Sequence, residues 1–205
     1  MKKYELTSET KIVFGHILYR IKALSSFGCV SAGDLGGFLE SEKNLSQNGN
    51  ARVSGDAEVS GNARVYGNAE VSGNARVYGN ARVYGNARVY GNARVYGNAE
   101  VSGNARVYGN AEVSGNARVY GDAWVSEIGA IFWIGAIGSR NDTATFFRCR
   151  DGSIKVVCGC FFGNLDEFAK KVRKTHGDND HAKVYMLAID MAKIRISTEK
   201  EKTEE

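Results

Sequence analysis

From residue 49 to residue 126 the apolar positions fall on a six-residue beat. Ala and Val hold the same two places in each of thirteen consecutive units, whose consensus is Gly-Asn-Ala-Arg-Val-Tyr. In extended backbone alternate side chains share a face. The pattern therefore predicts that Ala and Val point inward, while the Arg or Glu before Val and the Tyr or Ser after it point outward. Gly followed by Asn or Asp supplies the corner, because both positions tolerate the positive φ of a tight bend. Small and β-branched inward residues at a fixed short period predict a solenoid of stacked coils.

The flanks lack this beat. In residues 1–48, Lys11-Ile12-Val13-Phe14 and Ile17-Leu18-Tyr19-Arg20 flank Gly15-His16, which predicts a hairpin with a type II′ turn. Gly33-Asp34-Leu35-Gly36-Gly37-Phe38-Leu39 reads as a loop entering the coils. Beyond the repeats, residues 128–137 form a strand candidate, and residues 143–150 and 153–161 flank Asp151-Gly152, a type I′ hairpin signal. Asn164 and Glu167 make a capping box for a helix with Leu165, Phe168, Ala169 and Val172 on one face, ended by Gly177. A second helix is predicted from about residue 180 to 196, with Tyr185, Ala188, Ile189 and Ala192 on one stripe. The expected organisation is mainly β: a hairpin and capping segment (1–48), the solenoid (49–126), a small βββαα domain covering the last coil's open edge (127–196), and a disordered charged tail (197–205).

Composition changes this picture little. The chain has 205 residues, 43% of them hydrophobic, so it can bury a core; it has 25 glycines, mostly in the repeats, and no proline. A net charge of +4 permits an acidic partner without arguing for one. No apolar stretch reads as a membrane span or secretory signal, so no membrane partner and a cytoplasmic location, with Cys29, Cys149, Cys158 and Cys160 reduced, are expected.

The repeats resemble the hexapeptide-repeat family, whose pattern of aliphatic-x-x-x-small-x reads here as Val65-Tyr66-Gly67-Asn68-Ala69-Glu70. That resemblance implies a left-handed triangular β-helix with three units per coil, hence about four coils and roughly 20 Å of stacked strands. Stacking every third unit would place Arg88/Tyr90 with Arg106/Tyr108 on one face, Arg76/Tyr78 with Arg94/Tyr96 on the next, and Arg64/Tyr66 with Arg82/Tyr84 on the third. Arg76, Tyr78, Arg82, Tyr84, Arg88, Tyr90, Arg94, Tyr96, Arg106 and Tyr108, together with Trp124, which replaces Arg or Glu in the last unit, are the candidate partner-binding surface. Arg and Tyr ladders can serve a protein or nucleic-acid partner, or simply stabilise the outer face of the coil. Glu58, Glu70, Glu100 and Glu112 interrupt the basic surface.

The same family is best known for acyltransferases, which resemble one another in a histidine on the coil or a nearby loop acting as general base. Here His16, His176 and His181 all lie outside the repeats, and no loop interrupts the coils. No catalytic residue and no cofactor is therefore assigned. Cys149, Cys158 and Cys160 with a histidine raise a metal reading. A two-residue Asp-Gly turn would pair Cys149 with Ile154 and put Cys149 roughly 13 Å from Cys158, on a shared apolar face, so no metal is assigned either. The leader pieces Leu18-Tyr19-Arg20-Ile21-Lys22-Ala23-Leu24 and Gly33-Asp34-Leu35-Gly36-Gly37-Phe38-Leu39-Glu40 resemble a group of phage and prophage hexapeptide-repeat proteins. So do Phe161-Phe162-Gly163-Asn164-Leu165-Asp166-Glu167-Phe168 and Thr175-His176-Gly177-Asp178-Asn179. This implies a mobile-element origin. The expected function is a non-catalytic accessory scaffold for a host or viral protein, one version being an inhibitor of host defence. The alternatives are a coenzyme-A-dependent acyltransferase and a nucleic-acid-binding protein. A homo-oligomer, dimer or trimer, is expected from the flat coil faces.

Overall fold

The computed structural model describes residues 2–196; the tail expected at residues 197–205 lies outside them. Each repeat contributes one two-residue strand, its Arg, Glu or Trp followed by Val, from Arg52–Val53 to Trp124–Val125. Each strand pairs in parallel with the strand eighteen residues on, as Arg88 with Arg106 and Val89 with Val107. Three units therefore complete one coil, and the strands sort into three sheets. Ala and Val are buried in every unit, each Val contributing roughly 1.5–3 kcal/mol over leaving it exposed. The corners divide the work: every repeat glycine has positive φ, whereas the Asn or Asp after it does not. These are the φ signs of a type II′ turn, with glycine in the first central place.

The stack has about five coils rather than four, because residues before 49 supply one more rung. Leu35–Leu39 is a strand and not the expected loop: Phe38 and Leu39 pair in parallel with Glu58 and Val59. Leu45 bridges Val65 on a second face. The Gly36-Gly37 pair permits this close approach. A Cβ on Gly36 would lie 2.5 Å from the Ile21 side chain, and one on Gly37 would lie 2.6 Å from the Ala57 carbonyl. Strands Tyr4–Val13 and His16–Ala23 then extend the same sheet antiparallel. Their turn is Phe14-Gly15, since Val13 pairs with His16. Both turn residues have positive φ (49° and 82°), so the turn has type I′ signs and not the expected type II′ at Gly15-His16.

The terminal module is a four-stranded antiparallel sheet followed by helices α1 (Leu165–His176) and α2 (Asp180–Arg195). Residues 128–130 form a 3₁₀ turn before the strand Ile131–Ile137. The expected single strand over 153–161 is broken by a turn at Gly159-Cys160 into Ile154–Cys158 and Phe161–Asn164. Both halves of the predicted capping box are present: Asn164 Oδ1 accepts from the Glu167 N–H at 2.8 Å, and the Glu167 carboxylate accepts from the Asn164 N–H at 2.9 Å.

One register changes the meaning of this sheet. The Asp151-Gly152 hairpin has a three-residue loop: the Cys149 N–H donates to the Ser153 carbonyl and the Gly152 N–H to Cys149, with Gly152 at φ 83°. Arg148 therefore pairs with Ile154 and Ala144 with Cys158, one residue away from the register that a two-residue turn would give. A one-residue slip sends side chains to the opposite face. Phe147, Cys149 and Val157 consequently join the coil core, while Ala144, Phe146, Ile154 and Val156 join the core beneath the helices. The sheet is buried on both faces. The expectation that Cys149 and Cys158 share a face is thus corrected, and the two thiols sit in different cores.

Candidate functional site

The Tyr ladders form on all three faces. Tyr66 stacks on Tyr84 with centroids 5.0 Å apart, Tyr78 on Tyr96 at 4.9 Å and Tyr90 on Tyr108 at 5.1 Å, each within 9° of parallel. Rings stack on rings because identical residues recur one coil apart at the inter-strand spacing. The Arg of each unit aligns likewise, Arg76 with Arg94 and Arg64 with Arg82. The candidate residues thus occupy three separate faces, and no flat partner touches them all at once.

The glutamates neutralise particular arginines. Glu70 lies 2.6 Å from Arg52 and 3.6 Å from Arg88. Glu58 bridges Lys11 at 2.5 Å and Arg76 at 3.0 Å, and Glu100 meets Arg82 at 3.3 Å. Glu112 instead accepts from the Tyr96 hydroxyl, and this bond holds the Tyr96 pKa up. Arg106 has a different setting. Its rung neighbours are Arg88 and Trp124, and among the described residues no carboxylate lies within salt-bridge distance. Its guanidinium sits 5.2 Å from the Trp124 ring centroid, and Arg150 approaches the same ring at 5.4 Å. Tyr108 meets Trp124 edge-on at 6.1 Å.

Arg88, Arg106, Arg150 and Trp124 line an open depression of about 320 Å³ together with Asn86, Asn104 and Asp122. Its position follows from the hairpin register. The three-residue loop carries Arg150 to the last coil, where its N–H donates to the Asp122 carbonyl at 3.2 Å and Ala123 bridges Cys149. Arg150 is not legible in the sequence as part of this corner, because a two-residue Asp-Gly turn would pair it with Ser153 across the hairpin. The departure of Trp124 from the repeat was the available signal for this corner.

The sequence pattern marks the corner asparagines as turn formers. They also form ladders of side-chain amides: Asn62, Asn80, Asn98 and Asn116 are linked in turn at 3.2, 3.1 and 2.9 Å. A parallel ladder ends on Asp122, which accepts from Asn104 at 3.5 Å. The histidines lie away from the coils' middle. His16 Nδ1 is 3.1 Å from Glu40 at the hairpin, and His176 stands beside His181 and Tyr185.

The repeats match the family model described as the YdcK beta solenoid repeat, over residues 57–73, 69–85, 75–88, 81–97, 87–102 and 111–127. The starts of these matches differ by multiples of six residues, the same unit that builds the coil. This is a repeat β-solenoid protein. No curated protein matches the chain. Among the described residues, no helix of the solenoid protein is long and apolar enough to cross a membrane.

Proposed function

We propose that this solenoid is a non-catalytic binding scaffold for a macromolecular partner, with a protein as the leading class. The observation behind it is the repetition of the surface: stacked tyrosines and aligned arginines recur on each face, whereas catalysis needs a few distinct groups converging on one place. Exposed Tyr and Arg are also the side chains that dominate interface energetics. On this reading the protein is a phage-type accessory factor acting in the host cytoplasm, with inhibition of a host defence system as one form of the activity.

Because the ladders lie on three faces, the test is face by face. Three variants, Arg88/Arg106, Arg76/Arg94 and Arg64/Arg82, each with both arginines changed to Glu, are compared with the wild type in pull-downs from host lysate. Loss of one specific partner in a single variant is expected. Recovery of the same partner by all three would remove the solenoid-surface reading.

A second reading is single-stranded nucleic-acid binding, favoured by the arginines gathered around Trp124. It predicts affinity for an oligonucleotide that falls steeply with salt; salt-independent binding would count against it. The acyltransferase alternative lacks such support, since the histidines stand on the hairpin and the terminal helices. It would require a thermal shift with acetyl-coenzyme A.

A further inference from the structure

Helix α2 (Asp180–Arg195) is apolar on two sides. Ala182, Tyr185, Ala188, Ile189 and Ala192 are buried in the core beneath the terminal sheet. At 100° per residue, a second stripe lies well around the helix from these. It comprises Val184, Leu187, Met191 and Ile194, which are 40%, 63%, 50% and 88% exposed. The spacing is three, four, three, which is the a/d repeat of a coiled-coil seam over two heptads. Four large apolar side chains in one exposed row form a patch of the kind that marks an interaction surface.

We propose that a second copy of this chain covers the stripe, with the two α2 helices packed in parallel about a twofold axis. A twofold contact is made by the same patch on both partners, and each copy presents the seam that the other requires. Val184 at an a position and Leu187 at a d position suit a two-stranded seam. The flanking charges choose the direction. Asp190 falls at a g position and Arg195 at the following e position, so parallel pairing sets Asp190 of each copy against Arg195 of the other. Antiparallel pairing of the same apolar layers would set Asp190 against its own copy. Among the described residues Asp190 has a single ion pair, the long, exposed contact with Lys193 at 3.7 Å. The proposal is independent of the solenoid-surface reading. It also moves the expected oligomer contact from the flat coil faces to the terminal module.

Sedimentation of the full chain over a range of concentrations tests it. Four apolar positions per copy make a small interface, so a weak, concentration-dependent dimer is expected. Leu187→Glu should weaken it by more than about tenfold, with the far-UV circular dichroism unchanged because the side chain is exposed. Asp190→Arg should also weaken it, and Asp190→Arg combined with Arg195→Asp should restore it. A monomer at every concentration, whether the stripe is bare or serves another partner, would overturn the proposal. So would a dimer indifferent to Leu187→Glu. Failure of the double exchange to restore association would overturn the parallel arrangement.

Discussion

Lys3 is a buried cation at the entry end of the stack. Its ammonium donates to the Ala51 carbonyl at 2.8 Å and lies 4.5 Å from the Phe27 ring centroid. Burial pushes its pKa down to about 8 from an ordinary value of 10.5. Between those values the unfolded chain holds the extra proton, so Lys3 contributes stability that rises with pH; below about 8 both states are charged and the burial cost acts in full. Cys149 and Tyr185 act in the opposite sense, because burial raises them to about 11 and about 12. The Lys3 contribution is isolated by comparison with Lys3→Met. The wild type's urea midpoint relative to that variant should climb from pH 8 to pH 10, and a constant difference would contradict the assignment. The cysteines give a second residue-scale prediction. Cys29 and Cys160 are exposed and Cys149 is buried, so brief iodoacetamide treatment followed by mass spectrometry should label the first two and spare Cys149. A folded chain that loses Cys149 as fast as Cys29 would contradict the docked hairpin.

At the level of the element, legibility depended on how many observations fixed each turn. Thirteen copies of one corner left no freedom, and the inward Ala and Val could be read without a structure. The single hairpin at Asp151-Gly152 gave only its dipeptide, which is compatible with loops of two or three residues. The longer loop moved Cys149 and Arg150 to the coil. Phe14 was unreadable for a different reason: a phenyl side chain is an unusual occupant of positive φ, and the pairing of long strands outweighs that local cost. The amide ladders are an element-scale gain that the repeat implied without announcing. Asn98→Ala removes two such bonds, those with Asn80 and Asn116, and should cost about 1 kcal/mol, the low end of the net range for two hydrogen bonds because both are exposed. Asn50→Ala removes one long bond of 3.4 Å and should cost less. Chemical denaturation of the two variants checks the order.

Across the whole molecule, the two ends close the stack by different means. The entry end adds antiparallel strands to one sheet, and Tyr4 seals it from below, its single hydroxyl proton shared between the carbonyls of Leu45 at 2.7 Å and Glu42 at 2.9 Å. The far end is covered by a sheet whose coil-facing side chains continue the Ala/Val core. There the Arg148 guanidinium donates to Ser126 Oγ at 2.7 Å, and the Arg118 N–H donates to Thr145 Oγ1 at 3.1 Å. Coils between the ends touch chiefly their neighbours, the regime in which stability sums over repeats. Removal of residues 67–84, one coil of the eighteen-residue stacking period, should leave a cooperatively folded protein with the same far-UV spectrum and a lower melting temperature. Removal of residues 67–75 breaks that phase and should abolish cooperative melting. Equal behaviour of the two deletions would refute neighbour-only stacking.

The sequence by itself determined the coil: which residues face in, where it bends, and which outward residues stack, because each contact there joins a residue to its own copy a fixed distance along the chain. The tertiary structure alone decided the extra rung from Phe38 and Leu45, the two-faced burial of the terminal sheet and the meeting of Arg150 with Trp124. Those contacts join unlike segments. Their register depends on loop length and on which apolar face finds cover, and neither is written in any single stretch of chain.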